Sequence, residues 1–443
     1  MTGGKINGDD IFKTGLEQKQ YGISIGGPII KNKLFFFANF ESDELTSSGT
    51  DGLVPNTGTG SANESRVLES DFQLVDNLLR QVVVGQDGQG NDVFYNPGRY
   101  KDFNYDSKST KGILKLDWNI NDKNRFAIIY NWLNATREQP ANRNAIAFRG
   151  PNASVLQFEN AGYEISNNIS SIQMELNSTL SDEVVNKIQI GYTRFDDFRT
   201  PFSSPAPSIQ ILDPTGSSSY IIAGHEPFSI NNELDQKVLQ ITNNMNIFKG
   251  NHTYTVGFSF EKFQFDNSFN LGAYGAQGVF FPTTTITDFP DFASSGQLQG
   301  AFNEAIAINR SLETNGTGNP GGWALAETNV GQMSFYAQDE WNAAENFKLT
   351  YGVRFDRPLY FDTQEKIRQN IERKGGASGS YIPSIEYTDP DTNVATFLDS
   401  EKLPTTKWLI SPRVGFNWDI KNEVEFLGLL NKRAHTEGDA NGR

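Results

Sequence analysis

The chain contains no cysteine. That excludes disulfides, thiolate metal sites and cysteine nucleophiles together. Histidine is nearly absent as well. His225, His252 and His435 are scattered, which leaves no ligand pattern for a histidine-based metal site. Long hydrophobic runs are missing. The longest, Leu34 to Ala38, falls far short of the ~20 residues that a spanning helix requires. Lys and Arg never cluster, and the net charge is −15, so nucleic acid is not an expected partner. The start, from Met1 to Asp10, is polar and acidic and does not read as a secretory signal.

What is present points to strands. Aromatic residues make up 12% of the chain, led by 33 Phe, and there are 41 Gly. Aromatic side chains fit a pleated surface, and glycine serves turns. Period-2 alternation recurs in pairs of segments, at about 20–30 with 33–41, 111–120 with 125–134, 166–180 with 184–196, 237–248 with 253–266 and 331–342 with 347–359. A lone strand follows at 409–420. Within each pair the connection is short and polar, for example Asn121 to Asn124 or Lys249 to His252. Between pairs it is long and rich in Gly, Ser, Asn and Pro, over 42–110, 135–165, 197–236, 267–330 and 360–408. Two of these connections show helical spacing, in Leu68, Phe72, Val75, Leu79 and Val82, and in Leu298, Phe302, Ala305 and Ile308.

Each strand has one apolar and one polar face. In 111–120, Leu114, Leu116, Trp118 and Ile120 oppose Lys111, Lys115, Asp117 and Asn119. In 253–261, Tyr254, Val256, Phe258 and Phe260 oppose Thr255, Gly257, Ser259 and Glu261. Such alternation also fits a soluble antiparallel sheet with one solvated face. Strand length, aromatic ends and the sorting of short turns from long loops favour an antiparallel transmembrane β-barrel segment, with long external loops and short periplasmic turns. The expected interface aromatics are Trp118, Tyr130, Trp132, Tyr192, Trp341 and Trp418, because rings with a polar tip prefer the membrane–water boundary. The expected lumen-facing charges are Lys115, Asp117, Arg125, Glu175, Lys187, Glu261, Arg354, Asp356, Arg413 and Asp419. In a wet lumen they pair with one another or meet a passing substrate.

No catalytic set is legible. Ser24-Ile-Gly-Gly-Pro28 lacks the lysine and helix of a phosphate loop, and adjacent Asp196 and Asp197 should point to opposite faces. No cofactor is expected. The weak exceptions are calcium-like loops at Asp389-Pro-Asp-Thr-Asn393 and Asp87-Gly-Gln-Gly-Asn91, and the first lacks the glycine and glutamate of a full calcium loop.

Three segments resemble TonB-dependent receptors. Tyr21-Gly-Ile-Ser-Ile-Gly-Gly-Pro-Ile-Ile-Lys-Asn-Lys-Leu-Phe-Phe-Phe37, followed by Asn39-Phe-Glu41, resembles an early barrel hairpin of the Oar-like group. Phe335-Tyr-Ala-Gln-Asp-Glu-Trp341 with Phe347-Lys-Leu-Thr-Tyr-Gly-Val-Arg-Phe-Asp356 is similar to a mid-barrel hairpin of the wider family. Ser411-Pro-Arg-Val-Gly-Phe-Asn-Trp418 resembles a later strand. The resemblance implies an outer-membrane barrel of 22 strands enclosing a plug, partnered by outer-membrane lipid and the TonB complex and importing a large nutrient or metal-chelate ligand. It implies that this chain is about half of such a barrel, with an N-terminal loop over 1–19, about eleven wall strands over 20–420, and a non-barrel tail over 421–443. The resemblance further implies that the plug and TonB box are missing from this chain, and the break in alternation after Lys421 is what a fragment end or frameshift is expected to give. Half a barrel has two open edges and is not expected to insert alone. A surface adhesive or structural β-protein of the outer membrane is the alternative.

Overall fold

The computed structural model describes residues 5–6, 9–10, 16–141, 151–203, 205–269, 284–314, 325–373, 386–388, 392–397, 403–420 and 424–431. Its largest element is one twelve-stranded sheet in which spatial order follows chain order. The strands are β1 (Glu17–Ile30), β2 (Leu34–Ser48), β3 (Asn104–Asn121), β4 (Asn124–Gln139), β5 (Tyr163–Ser181), β6 (Val184–Pro201), β7 (Asn232–Lys249), β8 (His252–Ser268), β9 (Leu325–Ala344), β10 (Phe347–Leu359), β11 (Leu409–Ile420) and β12 (Val424–Asn431). Every neighbouring pair is antiparallel.

The short turns fall where turn chemistry put them. Between β1 and β2, Asn32 takes φ 60°, a left-handed conformation that asparagine tolerates. Between β3 and β4, the Asn121 side chain accepts from the Lys123 amide (3.0 Å) and from Asn124 Nδ2 (2.9 Å). Between β7 and β8, Gly250 supplies φ 58°. These turns fix register, and register fixes which face each side chain takes.

Two differences from the sequence reading concern strand extent. Wall strands run past the expected ends at the long-connection side: β3 begins at Asn104 rather than 111, and β2 continues to Ser48. Apart from Leu45 and Tyr105 the added residues are polar on both faces, which leaves too little hydrophobic periodicity to read, while the cross-strand ion pair Lys108–Glu44 (3.6 Å) joins the added ends. The second difference is β12. Alternation ends at Lys421, yet Val424–Asn431 pairs with β11 from Ile420↔Val424 to Arg413↔Asn431. Backbone hydrogen bonding does not depend on side-chain alternation, so the sheet gains a twelfth strand.

The main hydrophobic core lies outside this sheet. Four long connections fold together into a cap. The first contributes α1 (Glu69–Leu79) with Val67, Phe72, Val75, Leu79, Val82 and Tyr95. The second contributes Leu156 and Phe158, and the third Ile209, Ile211, Tyr220 and Ile221. The fourth contributes α2 (Phe289–Ser294) and α3 (Gln297–Thr314), with Phe289, Leu298 and Phe302. A four-stranded sheet joins Leu156–Gln157, Ser219–Gly224, Ser208–Leu212 and Thr284–Thr285, which come from three different connections. The helical spacing in Phe72, Val75 and Leu79 and in Leu298, Phe302 and Ala305 is the buried face of α1 and α3, while Leu68 stays exposed.

Arg66 ties the connections together. Its guanidinium donates to the Ser154 carbonyl (2.9 Å), Asp213 (3.1 Å), Ser218 Oγ (2.7 Å) and the Ser219 carbonyl (2.8 Å). Asp213 also accepts from Thr215 and Ser218 hydroxyls, and these hydrogen bonds hold its carboxyl well below the usual range. Arg66→Ala is expected to speed protease cleavage within 49–103 and 202–231 by about tenfold, the effect of losing one charge-assisted hydrogen-bond cluster. Unchanged cleavage rates at both places would remove Arg66 from this role.

A second loop gives a pH prediction. Glu64 accepts from the Thr57 hydroxyl (2.7 Å) and amide (2.9 Å), the Thr59 hydroxyl (2.8 Å) and the Gly60 amide (2.9 Å). Its pKa is lowered from 4.5 to about 2, the Thr57 hydroxyl being the largest cause. The depressed value means that the ionised form is the one the fold holds. Loop 57–64 is therefore expected to keep its full hold above about pH 4.5 and to lose it as pH falls toward about 2. Hydrogen exchange of the Thr57 and Gly60 amides reads this directly; protection that is flat from pH 5 to pH 2 would contradict it.

Candidate functional site

Residues directly opposite one another in a sheet share a face. Starting at Lys115, the row across the wall runs through Ile129, Gln173, Gly191, Gln240, Glu261 and Gln332. Starting at Trp118, three residues along β3, the row runs through Phe126, Leu176, Ile188, Asn243, Phe258, Phe335, Phe355 and Ile410. The first row is polar except for Ile129 and Gly191, and the second is apolar except for Asn243. From β3 to β11 the sheet therefore has a charged face and an apolar face; on β2, Phe35 and Phe37 fall on the charged face, opposite Asp117 and Lys115.

All ten charges singled out from the sequence fall on the charged face by register. Lys115 and Asp117 sit on β3, Arg125 on β4, Glu175 on β5, Lys187 on β6, Glu261 on β8, Arg354 and Asp356 on β10, and Arg413 and Asp419 on β11. Four of them, Lys115, Asp117, Arg125 and Glu175, line one cavity of about 620 Å³ with Gln173, Gln189, Gln240 and Thr242. Pairing is mixed. Lys187 reaches across strands to Glu175 (2.9 Å), but Lys115–Asp117 (2.9 Å) and Arg354–Asp356 (2.8 Å) pair along their own strands. Asp356 also accepts from Ser334 Oγ (2.6 Å) and Gln332 Nε2 (2.7 Å). Gln240 donates to Glu261 (3.0 Å) and Gln189 to Glu175 (2.9 Å). Amides interleave with charges, so this face offers both donors and acceptors to water or to a polar solute.

The six aromatics lie on the other face, in two groups. Trp118, Trp341 and Trp418 stand beside the short turns, and Tyr130, Trp132 and Tyr192 toward the long connections. Trp132 rests over Gly112, its direct partner across the ladder; a Cβ there would stand 2.2 Å from the indole. Glycine is the residue that gives the ring this seat. Past Tyr192 the apolar face turns to charge. Arg194 pairs with Asp235 (3.3 Å) and Asp196 (3.5 Å), and Lys237 with Asp235 (3.2 Å) and Asp266 (3.7 Å).

One polar group on the apolar face was not anticipated. Asp339, within Phe335–Trp341, shares that face with Phe335 and is buried. Its Oδ2 meets His252 Nδ1 (2.7 Å) and accepts from the Tyr351 hydroxyl (2.7 Å). The His252 ring lies parallel to those of Tyr254 (5.5 Å) and Trp341 (5.4 Å). A carboxylate on an apolar face is affordable only with such partners. The sequence signal was the Asp in an otherwise alternating segment.

Among the described residues no group of three or more His, Asp or Glu is placed to hold a metal ion. At Asp87 the carboxylate accepts from the Gln89 amide (2.8 Å), the Asn91 amide (2.8 Å) and Asn91 Nδ2 (3.0 Å), which makes it a turn-former. The segment Asp389 to Asp391 lies outside the described residues, as does His435.

A family model described as "Outer membrane beta barrel domain" matches residues 5–426. No curated protein matches the chain. Solved structures that resemble it include the outer membrane transporter YddB from Escherichia coli, at 9% identity and a TM-score of 0.40, covering 91% of this chain and 45% of that one. The FrpB iron transporter from Neisseria meningitidis resembles it at 8% identity and a TM-score of 0.39, covering 94% and 45%. A structure titled "Copper transporter OprC" does so at 10% identity and a TM-score of 0.39, covering 93% and 43%. The chain spans less than half the length of these three proteins.

Proposed function

Because the chain belongs to the outer membrane β-barrel domain family, we propose that it is about half of the barrel wall of a TonB-dependent receptor of the Oar-like group. Its charged face lines the lumen and its apolar face meets lipid. The parent protein imports a large nutrient or metal-chelate ligand, with the plug and the TonB complex supplying the gate and its drive.

The observation that carries this reading is the separation of faces. Ten charges on seven strands fall on one side, and the aromatics that end the apolar stripe fall on the other. On β6 the apolar-face stretch from Val184 to Tyr192 spans eight residue steps, about 20 Å of height at ~3.3 Å per residue and ~40° tilt, close to the ~25 Å apolar band of a spanning wall. Charge begins at Arg194, where headgroups would begin. The motif resemblance at Tyr21–Phe37 and Phe335–Asp356 supports the receptor family within the barrel class.

The adjoining coding sequence tests the receptor assignment. A plug with a TonB box upstream, and further barrel strands downstream in frame, is the expected result. A mature protein that lacks any plug would instead favour a surface-binding protein of the outer membrane. The folded cap is the observation that favours this second reading, since it presents an external surface independent of the lumen.

A further inference from the structure

Four of the five long connections build the cap, and among the described residues the fifth, 360–408, contributes nothing to the cap's core. Its first and last described stretches meet the wall, through Phe361–Lys366 at one end and Thr406 and Trp408 at the other. Directly after β10, Phe361 adopts φ 43°, a conformation that bulky L side chains rarely take. Its ring meets Phe260 edge-on at 6.4 Å, with the Lys262 ammonium 4.9 Å from the ring centre. Gly331 stands opposite both Lys262 and Leu359, on the apolar-face row. A Cβ on Gly331 would come within 3.0 Å of the Phe361 ring, so glycine leaves the notch that seats it. Even so, Phe361 remains 45% exposed.

The helix α4 (Thr363–Arg373) follows at once. It is fastened to the upper end of β9, on the same face. The Asn329 amide donates to Thr363 Oγ1 (2.8 Å), Asn329 Nδ2 donates to Asp362 (2.6 Å), and Lys366 pairs with Glu327 (3.0 Å). Among its described side chains the exposed ones are Gln364, Arg368 and Glu372. At the other end of the connection, Trp408 lies 6.0 Å from Phe335 with the Arg357 guanidinium 5.9 Å from its ring. It too is 42% exposed.

We propose that the fifth connection is a membrane-surface anchor: Phe361 and Trp408 enter the outer boundary of the bilayer, and α4 lies in its headgroup layer. The partner is the lipid surface itself. Both rings continue the apolar face that ends in Tyr192, and each carries a cation on its wall-side neighbour. A half-exposed aromatic with a nearby cation suits the interface, where the ring meets acyl chain and the charge meets phosphate. The polar exposed side of α4 suits headgroups and water, not hydrocarbon. The anchor holds this connection down beside the wall, away from the lumen mouth. The inference rests on the reading that the apolar face meets lipid.

This chain contributes no cysteine of its own to the test. Single variants Phe361→Cys, Trp408→Cys, Leu116→Cys and Gln240→Cys of the full-length protein that carries this chain are labelled with a nitroxide in bilayer vesicles. Leu116 is the deep reference, because it lies on the apolar face midway between Trp118 and the level of Tyr130. Collision with oxygen and with a water-soluble nickel chelate reports depth. The expected result is a Phe361 label several-fold less accessible to nickel than the Gln240 label, yet shallower than Leu116. Trp408 gives the same reading should the Phe361 variant fail to assemble. If Phe361 and Trp408 labels are as nickel-accessible as Gln240 while Leu116 is deep in lipid, the anchor is overturned and the barrel reading stands. If Leu116 itself is out of lipid, the barrel orientation falls, and the anchor with it.

Discussion

Replacing Phe302 with alanine is expected to cost the cap about 3–5 kcal/mol, the range for emptying a fully buried aromatic site. Phe302 is fully buried on α3, with its ring 4.7 Å from that of Tyr95. Tyr95 belongs to the first connection and Phe302 to the fourth, while Ile209, Ile221 and Phe158 of the same core come from the second and third. A cavity there loosens four segments that are far apart in sequence. Protease cleavage should therefore appear together in 49–103, 151–162, 205–231 and 284–314. Leu68→Ala, at the exposed N-cap of α1, should change stability by no more than about 0.5 kcal/mol. Cleavage confined to the fourth connection in the Phe302 variant would show that the cap is four separate loops.

The second large effect concerns the wall. Phe258→Arg is expected to destabilise the full-length protein in bilayers by about 2–4 kcal/mol, the depth-dependent cost of a cation on the lipid face near the midplane. Phe258 lies between Tyr254, near the turn, and Lys262, where charge begins. Gln240→Arg on the neighbouring strand carries the same added charge to the other face, opposite Glu261. It should be near neutral, because water and a carboxylate meet it there. Denaturant titration in lipid vesicles compares the two. Equal costs would mean that the faces do not differ in solvent.

The wall was legible in the sequence because one physical signal, period-2 alternation, reports one-sided burial. Leu114, Leu116 and Trp118 against Lys115 and Asp117 is enough to assign both faces, and the turn at Asn121 to Asn124 sets the register. The signal fails wherever both faces are alike. Ser208–Leu212 and Ser219–Gly224 are buried on both sides in the cap, so their apolar residues do not alternate clearly. Their partners also lie in other connections, which no local pattern reveals. The upper ends of β2 and β3 are polar on both sides apart from Leu45 and Tyr105, so no alternation marks them as strand. β12 was missed because Phe426-Leu-Gly-Leu-Leu430 does not alternate. Helices α1 and α3 were partly legible, since 3.6-residue spacing survives when only one side of a helix is buried.

The charged face was legible as ten residues, but not as pairs. Whether Lys115 meets Asp117 on its own strand or an acid across the ladder depends on side-chain reach, which spacing alone does not determine. The Asp339–His252–Tyr351 cluster was hidden for a related reason. Its members are close only because β8, β9 and β10 are neighbours in a particular register.

Single cysteines placed from Tyr254 to Glu261, in the assembled full-length protein, should react with a charged, membrane-impermeant thiol reagent in a two-residue rhythm; Gly257 is left native, because a Cβ there would stand 2.1 Å from the Tyr336 ring. Thr255, Ser259 and Glu261 are predicted to label and Tyr254, Val256, Phe258 and Phe260 to stay silent. A reversed rhythm, or labelling indifferent to position, would mean that this sheet separates no lipid from water.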